Sequence, residues 1–190
     1  YTSLSHTIKK TILDDEQFWN IMHYDQWVIF QSLNRIYIYD IKLKSFNSIA
    51  PKNRILKSFA TNSAIYFQVN NEGLYEIENG KSKLVSDNPI VISNKIVNVF
   101  AIEDGLLIQT QYNGFYKLIN NNLVKFSTDI DTELASSSTY NSQLLSDGSF
   151  AIGTVSNGIF IVSNSGKIKY HITQNSGLSN NTILSLFEDA

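Results

Sequence analysis

Four times along this chain the same layout returns. An apolar run ends, a short loop follows, and a second apolar run opens beside a glycine or its stand-in. The pairs are Trp27-Val28-Ile29-Phe30-Gln31 with Ile36-Tyr37-Ile38-Tyr39-Asp40, Ile65-Tyr66-Phe67-Gln68 with Gly73-Leu74-Tyr75-Glu76-Ile77, Leu106-Leu107-Ile108-Gln109 with Gly114-Phe115-Tyr116-Lys117-Leu118, and Phe150-Ala151-Ile152-Gly153 with Gly158-Ile159-Phe160-Ile161-Val162. Arg35, Gly73, Gly114 and Gly158 mark the repeated position, at separations of 38, 41 and 44 residues. Runs this short are strands, because a helix would show 3.6 periodicity over roughly ten residues or more. Only residues 14–20 and Asp131–Ser136 have helical character, and Asp14-Asp15-Glu16 reads as the start of a surface helix. A sandwich also has many short strands, but it has no reason to repeat at this interval. A period of about forty filled with strands is that of a β-propeller.

Within each unit the order is strand, tight turn, strand, longer loop, strand, tight turn, strand. Asp104-Gly105 and Asp147-Gly148 occupy the first tight turn, where both residues are expected at positive φ. Asn79-Gly80, Asn120-Asn121-Asn122 and Ser165-Gly166 occupy the second. Each unit is then a four-stranded meander that buries its faces against its neighbours. Gly73, Gly114 and Gly158 are expected to supply positive φ or room for a close backbone approach. The expected fold is all-β: a propeller fragment of about four four-stranded antiparallel blades, with partial blades at both ends. The blades are placed at residues 18–53, 54–94, 95–138 and 139–180, with 1–17 ending a preceding blade and 181–190 opening the next.

Composition removes several functions. A net charge of −2 offers no basic face for a polyanion, so direct nucleic-acid binding is not expected. With no cysteine there are no disulfides, thiolate metal sites or cysteine nucleophiles. No run approaches the length of a membrane helix, so any membrane attachment is expected from segments outside this chain. The opening Tyr1-Thr2-Ser3-Leu4-Ser5-His6 has no initiator Met and reads as the interior of a longer protein.

The stretch Gly177-Leu178-Ser179-Asn180-Asn181-Thr182-Ile183-Leu184-Ser185-Leu186-Phe187-Glu188-Asp189 resembles the two-component regulator propeller repeat. The fourth unit carries the rest of that pattern in Ser146-Asp147-Gly148, Ile152-Gly153-Thr154 and Asn157-Gly158-Ile159-Phe160, with Ala151 where the family usually has Trp. The first three units match in layout only. The resemblance implies an extracytoplasmic, periplasmic sensor region of a membrane-anchored bacterial receptor. Such a region binds a ligand, often a glycan fragment, and signals to a histidine kinase or a helix-turn-helix output.

In a meander the loop between strands two and three shares one end of the blade with the connection to the next blade. Longer loops gather there, and binding is expected there. Gln31, Gln68 and Gln109 close the second strand in three units, followed by loops that hold Asn71, Gln111, Tyr112 and Asn113, with Asn157 in the fourth. Amides and tyrosine rings suit hydroxyl-rich ligands, so these eight residues form the candidate ligand site. The competing reading has the glutamines bonding to backbone at strand ends. No catalytic, metal or cofactor site is expected. His6, His23 and His171 are dispersed, Ser136-Ser137-Ser138 lacks an elbow, and Asp129, Asp131 and Glu133 lack the frame of a calcium loop. A propeller enzyme with catalytic groups elsewhere, such as a polysaccharide lyase, and an interaction scaffold remain alternatives. Open blade edges are expected to favour self-association.

Overall fold

In the computed structural model, residues 16–189 are described, and they fold as four four-stranded antiparallel sheets. Blade 1 comprises β1 (Asn20–Tyr24), β2 (Trp27–Gln31), β3 (Ile36–Asp40) and β4 (Ser45–Ile49). Blade 2 comprises β5 (Ile55–Ala60), β6 (Ile65–Val69), β7 (Gly73–Glu78) and β8 (Lys81–Ser86). After a one-turn helix α1 (Pro89–Ser93), blade 3 comprises β9 (Ile96–Ile102), β10 (Gly105–Thr110), β11 (Phe115–Ile119) and β12 (Asn122–Phe126). A second short helix, α2 (Asp131–Ser136), precedes blade 4, with β13 (Thr139–Leu144), β14 (Phe150–Thr154), β15 (Ile159–Val162) and β16 (Ile168–Ile172). In every sheet the strand order follows the chain order. The fold is that of propeller blades.

The chain divides into two compact units, Tyr1–Asp87 and Asn88–Ala190, each holding two blades. In the first, Ile29, Ile36, Ile38 and Ile49 of blade 1 join Ile55 at the start of β5 and Ile65, Phe67, Val69 and Ile77 in one buried cluster. In the second, Phe100, Leu107 and Phe115 of blade 3 meet Phe150, Ile152, Phe160 and Val162 of blade 4, with Ile130 and Leu134 from the α2 segment closing the group. Phe150 carries the aromatic contacts there, its ring centroid 5.1 Å from that of Phe100 and 5.8 Å from that of Phe115. Burial falls from the middle of each blade to its fourth strand. Every residue of β6 and β14 is buried, whereas β8, β12 and β16 are largely exposed.

Turn chemistry explains the registers. Asn79 (φ 51°) with Gly80 (φ 73°), and Asn120 (φ 50°) with Asn121 (φ 63°), place two consecutive residues at positive φ, the conformation whose twist matches antiparallel strands. The first turns are built otherwise. Asp104 and Asp147 keep ordinary φ, and Asp147 instead accepts the Ser149 N–H at 2.9 Å through its carboxylate. A side chain that closes the turn removes the need for a strained backbone.

Two further expectations change. The segment read as a helix start at Asp14-Asp15-Glu16 is not one at Glu16. Residues 16–19 have no regular structure and Asn20 opens β1. Glu16 instead buries its carboxylate, which accepts from Ser32 Oγ and Tyr37 Oη and lies 3.9 Å from Arg35 Nε. Helix α1 was absent from the sequence reading, although Asn88 accepting from the Ile90 N–H, followed by Pro89, is a capped helix start. The remnant of a preceding blade at residues 1–17 lies almost wholly outside the described residues. At the other end, residues 181–189 form no ladder, but the Ile183 N–H donates to the Thr154 carbonyl at 2.9 Å.

Candidate functional site

The loop end of three blades is shaped by a device that the sequence reading did not single out. Directly after the residue at the Gln position stands a hydroxyl in three blades: Ser32, Thr110 and Thr154. All three are buried. Thr154 Oγ1 donates to the Gly158 carbonyl at 3.0 Å and accepts the Asn157 N–H at 2.8 Å. Thr110 Oγ1 does the same with the Gly114 carbonyl and the Asn113 N–H, both at 3.0 Å. Ser32 Oγ, whose proton goes to Glu16, accepts the Arg35 N–H at 2.9 Å. Each hydroxyl therefore closes the loop between strands two and three. Blade 2 has Val69 in this place and turns instead through Asn71 at φ 59°. A hydroxyl one step beyond each Gln, in two of three cases and again after Gly153, was the available signal.

The repeated glycines stand where these loops re-enter the sheet, with φ of 132° at Gly73, 67° at Gly114 and 72° at Gly158. A Cβ on Gly73 would lie 2.2 Å from the Ser86 carbonyl oxygen, and one on Gly158 2.1 Å from that of Ile172. Both positions combine a left-handed backbone with a close approach by the fourth strand.

The candidate ligand residues divide by depth. Asn71, Tyr112 and Asn113 are exposed on their loops, and Gln111 and Asn157 are half-buried. Gln111 Nε2 donates to Ser138 Oγ at 2.7 Å, tying the blade 3 loop to the chain entering blade 4. The backbone carbonyl of Asn157 lies 2.7 Å from His171 Nε2, and the Asn113 carbonyl accepts from Lys125 Nζ. Gln31, Gln68 and Gln109 are all buried, at 2%, 1% and 0% exposure. The glutamines were expected among the binding residues at the loop end of their blades. Phe67 and Ile108 are as buried as Gln68 and Gln109, because the second strand is covered on both sides.

What the glutamines face is visible in the first unit. Gln31 sits opposite Asn20 in the β1–β2 ladder, and its Oε1 accepts from Ser58 Oγ of blade 2 at 2.7 Å. Asn20 Nδ2 lies 3.3 Å from that same hydroxyl. These are bonds between blades, the one from Ser58 to Gln31 buried and the one from Asn20 half-buried.

Asp129 and Asp131 have partners, whereas Glu133 Oε2 on α2 is buried with no hydrogen-bond partner among the described residues. Asp129 pairs with Lys167 at 2.9 Å and also accepts the Ile168 N–H at 3.3 Å, and these contacts hold its carboxyl below the usual range, the lysine contributing most. Asp131 accepts from Thr128 Oγ1 at 2.8 Å and lies 3.6 Å from Lys125. In blade 4, Asp147 is lowered by its 2.8 Å bond from Lys169 first and by Ser149 second. Among the described residues no cluster of three metal-ligating side chains occurs, and no helix is long and apolar enough to cross a membrane.

No protein-family description matches the chain, and no curated protein matches it. Solved structures do. The extracellular domain of the hybrid two-component system BT4673 from B. thetaiotaomicron matches with a TM-score of 0.62 and 19% identity, covering 89% of this chain and 24% of that domain. The corresponding domain of BT3049 from the same organism matches with a TM-score of 0.58 and 17% identity, covering 90% of this chain and 24% of its own length. The N-terminal domain of Nup159 matches with 0.53 and 12%, covering 78% of this chain and 46% of that one. This chain thus spans 24% of the length of the bacterial extracellular domains that it matches. At such identities the likeness is one of fold alone.

Proposed function

We propose that this chain is the ligand-sensing propeller segment of a bacterial signal-transduction receptor of the two-component or one-component kind. It lies outside the cytoplasm and binds without catalysis. The observation that carries this reading is the match of about nine-tenths of the chain to the extracellular domains of two such sensors. The Gly177–Asp189 stretch and the Ile152-Gly153-Thr154 pattern support it from the sequence side. The ligand class is an oligosaccharide or another hydroxyl-rich molecule, met at the loop ends of the second unit by Tyr112 and Asn113, with the half-buried Gln111 and Asn157.

The test is calorimetric titration of an oligosaccharide panel against the intact sensor region. Tyr112→Ala and Asn113→Ala are compared there with Gln68→Ala and Gln109→Ala. The loop variants are expected to weaken binding about tenfold each, the value of roughly 1.4 kcal/mol. The glutamine variants are expected to act mainly on stability. Unchanged affinity in both loop variants, with folding intact, would remove the site. Silence of the wild type across the panel would remove the ligand class.

A further inference from the structure

Each two-blade unit carries the same polar trio at its blade–blade contact, and the two trios are in different states. In the first unit Asn20 opposes Gln31, and both reach Ser58 of the next blade. In the second unit Asn98 opposes Gln109, and Asn98 Nδ2 donates to the Ser142 carbonyl at 2.8 Å. Ser142 opposes Ile152 as Ser58 opposes Phe67, so the two serines hold equivalent places in the first strand of their blades. In the first trio Ser58 donates directly to Gln31. In the second, Gln109 is fully buried and Ser142 is 4% exposed, yet neither Gln109 Nε2, Gln109 Oε1 nor Ser142 Oγ has a hydrogen-bond partner among the described residues. Thr139, earlier on the same strand, has an orphaned hydroxyl as well.

A buried amide with both ends unpaired is rare, because it forfeits its bonds to solvent and receives nothing in return. Gln109 offers an NH2 group with two N–H donors and a carbonyl acceptor, and Ser142 offers a group that can be either. That combination suits a small neutral guest that donates and accepts at once. An internal water, which typically makes about three hydrogen bonds, fits it. We propose that Gln109 and Ser142 hold an ordered internal water in the contact between blades 3 and 4, whereas Gln31 and Ser58 seal the equivalent contact without one. The site is separate from the exposed loops and does not depend on the sensing role.

A crystal structure of this chain at a resolution that places internal waters is the direct test. The expected result is a solvent peak at about 2.7–3.2 Å from the Gln109 amide and from Ser142 Oγ, with none between Gln31 and Ser58. A direct Ser142-to-Gln109 bond like that of Ser58 to Gln31, or a dry contact, would overturn the proposal. Gln109→Met supplies a second readout. With a water held there, it strands the guest and Ser142, and the urea midpoint falls. A rise in the midpoint, as expected on deleting a merely orphaned amide, would also overturn it.

Discussion

Gly114 and Gly158 occupy the same place in successive blades, with φ of 67° and 72°, yet their surroundings differ. A Cβ on Gly158 would meet the Ile172 carbonyl oxygen at 2.1 Å, whereas one on Gly114 meets side-chain ends, Lys125 Nζ at 2.7 Å and Asp131 Oδ1 at 3.0 Å. Backbone in a ladder cannot step aside, but a lysine can. Gly114→Ala is therefore expected to cost about 1–2 kcal/mol, the strain of a left-handed alanine. Gly158→Ala should exceed it by at least about 1 kcal/mol, because the β15–β16 ladder must also open. Chemical denaturation of both variants measures the difference, and equal costs would remove the close-approach argument. Thr154→Val probes the neighbouring hydroxyl. It leaves the Gly158 carbonyl and the Asn157 N–H with one partner fewer, at an expected cost of about 1–2 kcal/mol in the same assay.

The hairpins of blade 4 are electrostatic as well as conformational elements. Asp147, on the first turn, and Asp129, reaching the second from the β12–β13 connection, are both held below the ordinary carboxylate range, each first by its lysine. A carboxyl lowered by folding contributes stability that is complete above its unfolded value of about 3.9 and fades as pH falls from there through its folded value. The urea midpoint is thus expected to be flat near neutrality and to drop below about pH 4, with Asp147→Asn and Asp129→Asn each flattening the drop. Added salt should blunt the same contribution, since both pairs are exposed. A midpoint whose acid dependence is identical in wild type and variants would contradict this assignment. Legibility divides at the same scale. Strand count, meander order and the special glycines could be read directly, because each depends on local pattern and the pattern recurs. The depth of the glutamines could not. Period-two alternation tells one face of a strand from the other, and β6, β10 and β14 are covered on both, so their parity carries no exposure signal. Glu16 was misread for a related reason. Its partners Ser32, Arg35 and Tyr37 come together only once blade 1 has folded, and an acidic triplet viewed alone looks like a solvated helix start.

For the molecule as a whole, several large apolar side chains remain in solvent: Trp19 at 64%, Ile21 at 63%, Leu184 at 62% and Phe187 at 88% exposure. Exposed apolar surface of this kind favours association. Sedimentation equilibrium of this chain is expected to show mass rising with concentration, and Trp19→Ser together with Phe187→Ser should lower it. A clean monomer at high concentration would count against the expectation. The hydroxyl-closed loops have a different consequence. Because Thr154 and Ser32 fasten the loop at its base, the sheet behind is insulated from what the loop spells, and the tip residues bear little of the blade's folding. Tyr112, exposed at the tip of the blade 3 loop, can thereby be exchanged while the blade keeps its register. The loop tips of such blades can change in sequence one at a time, on a scaffold that never has to be re-solved.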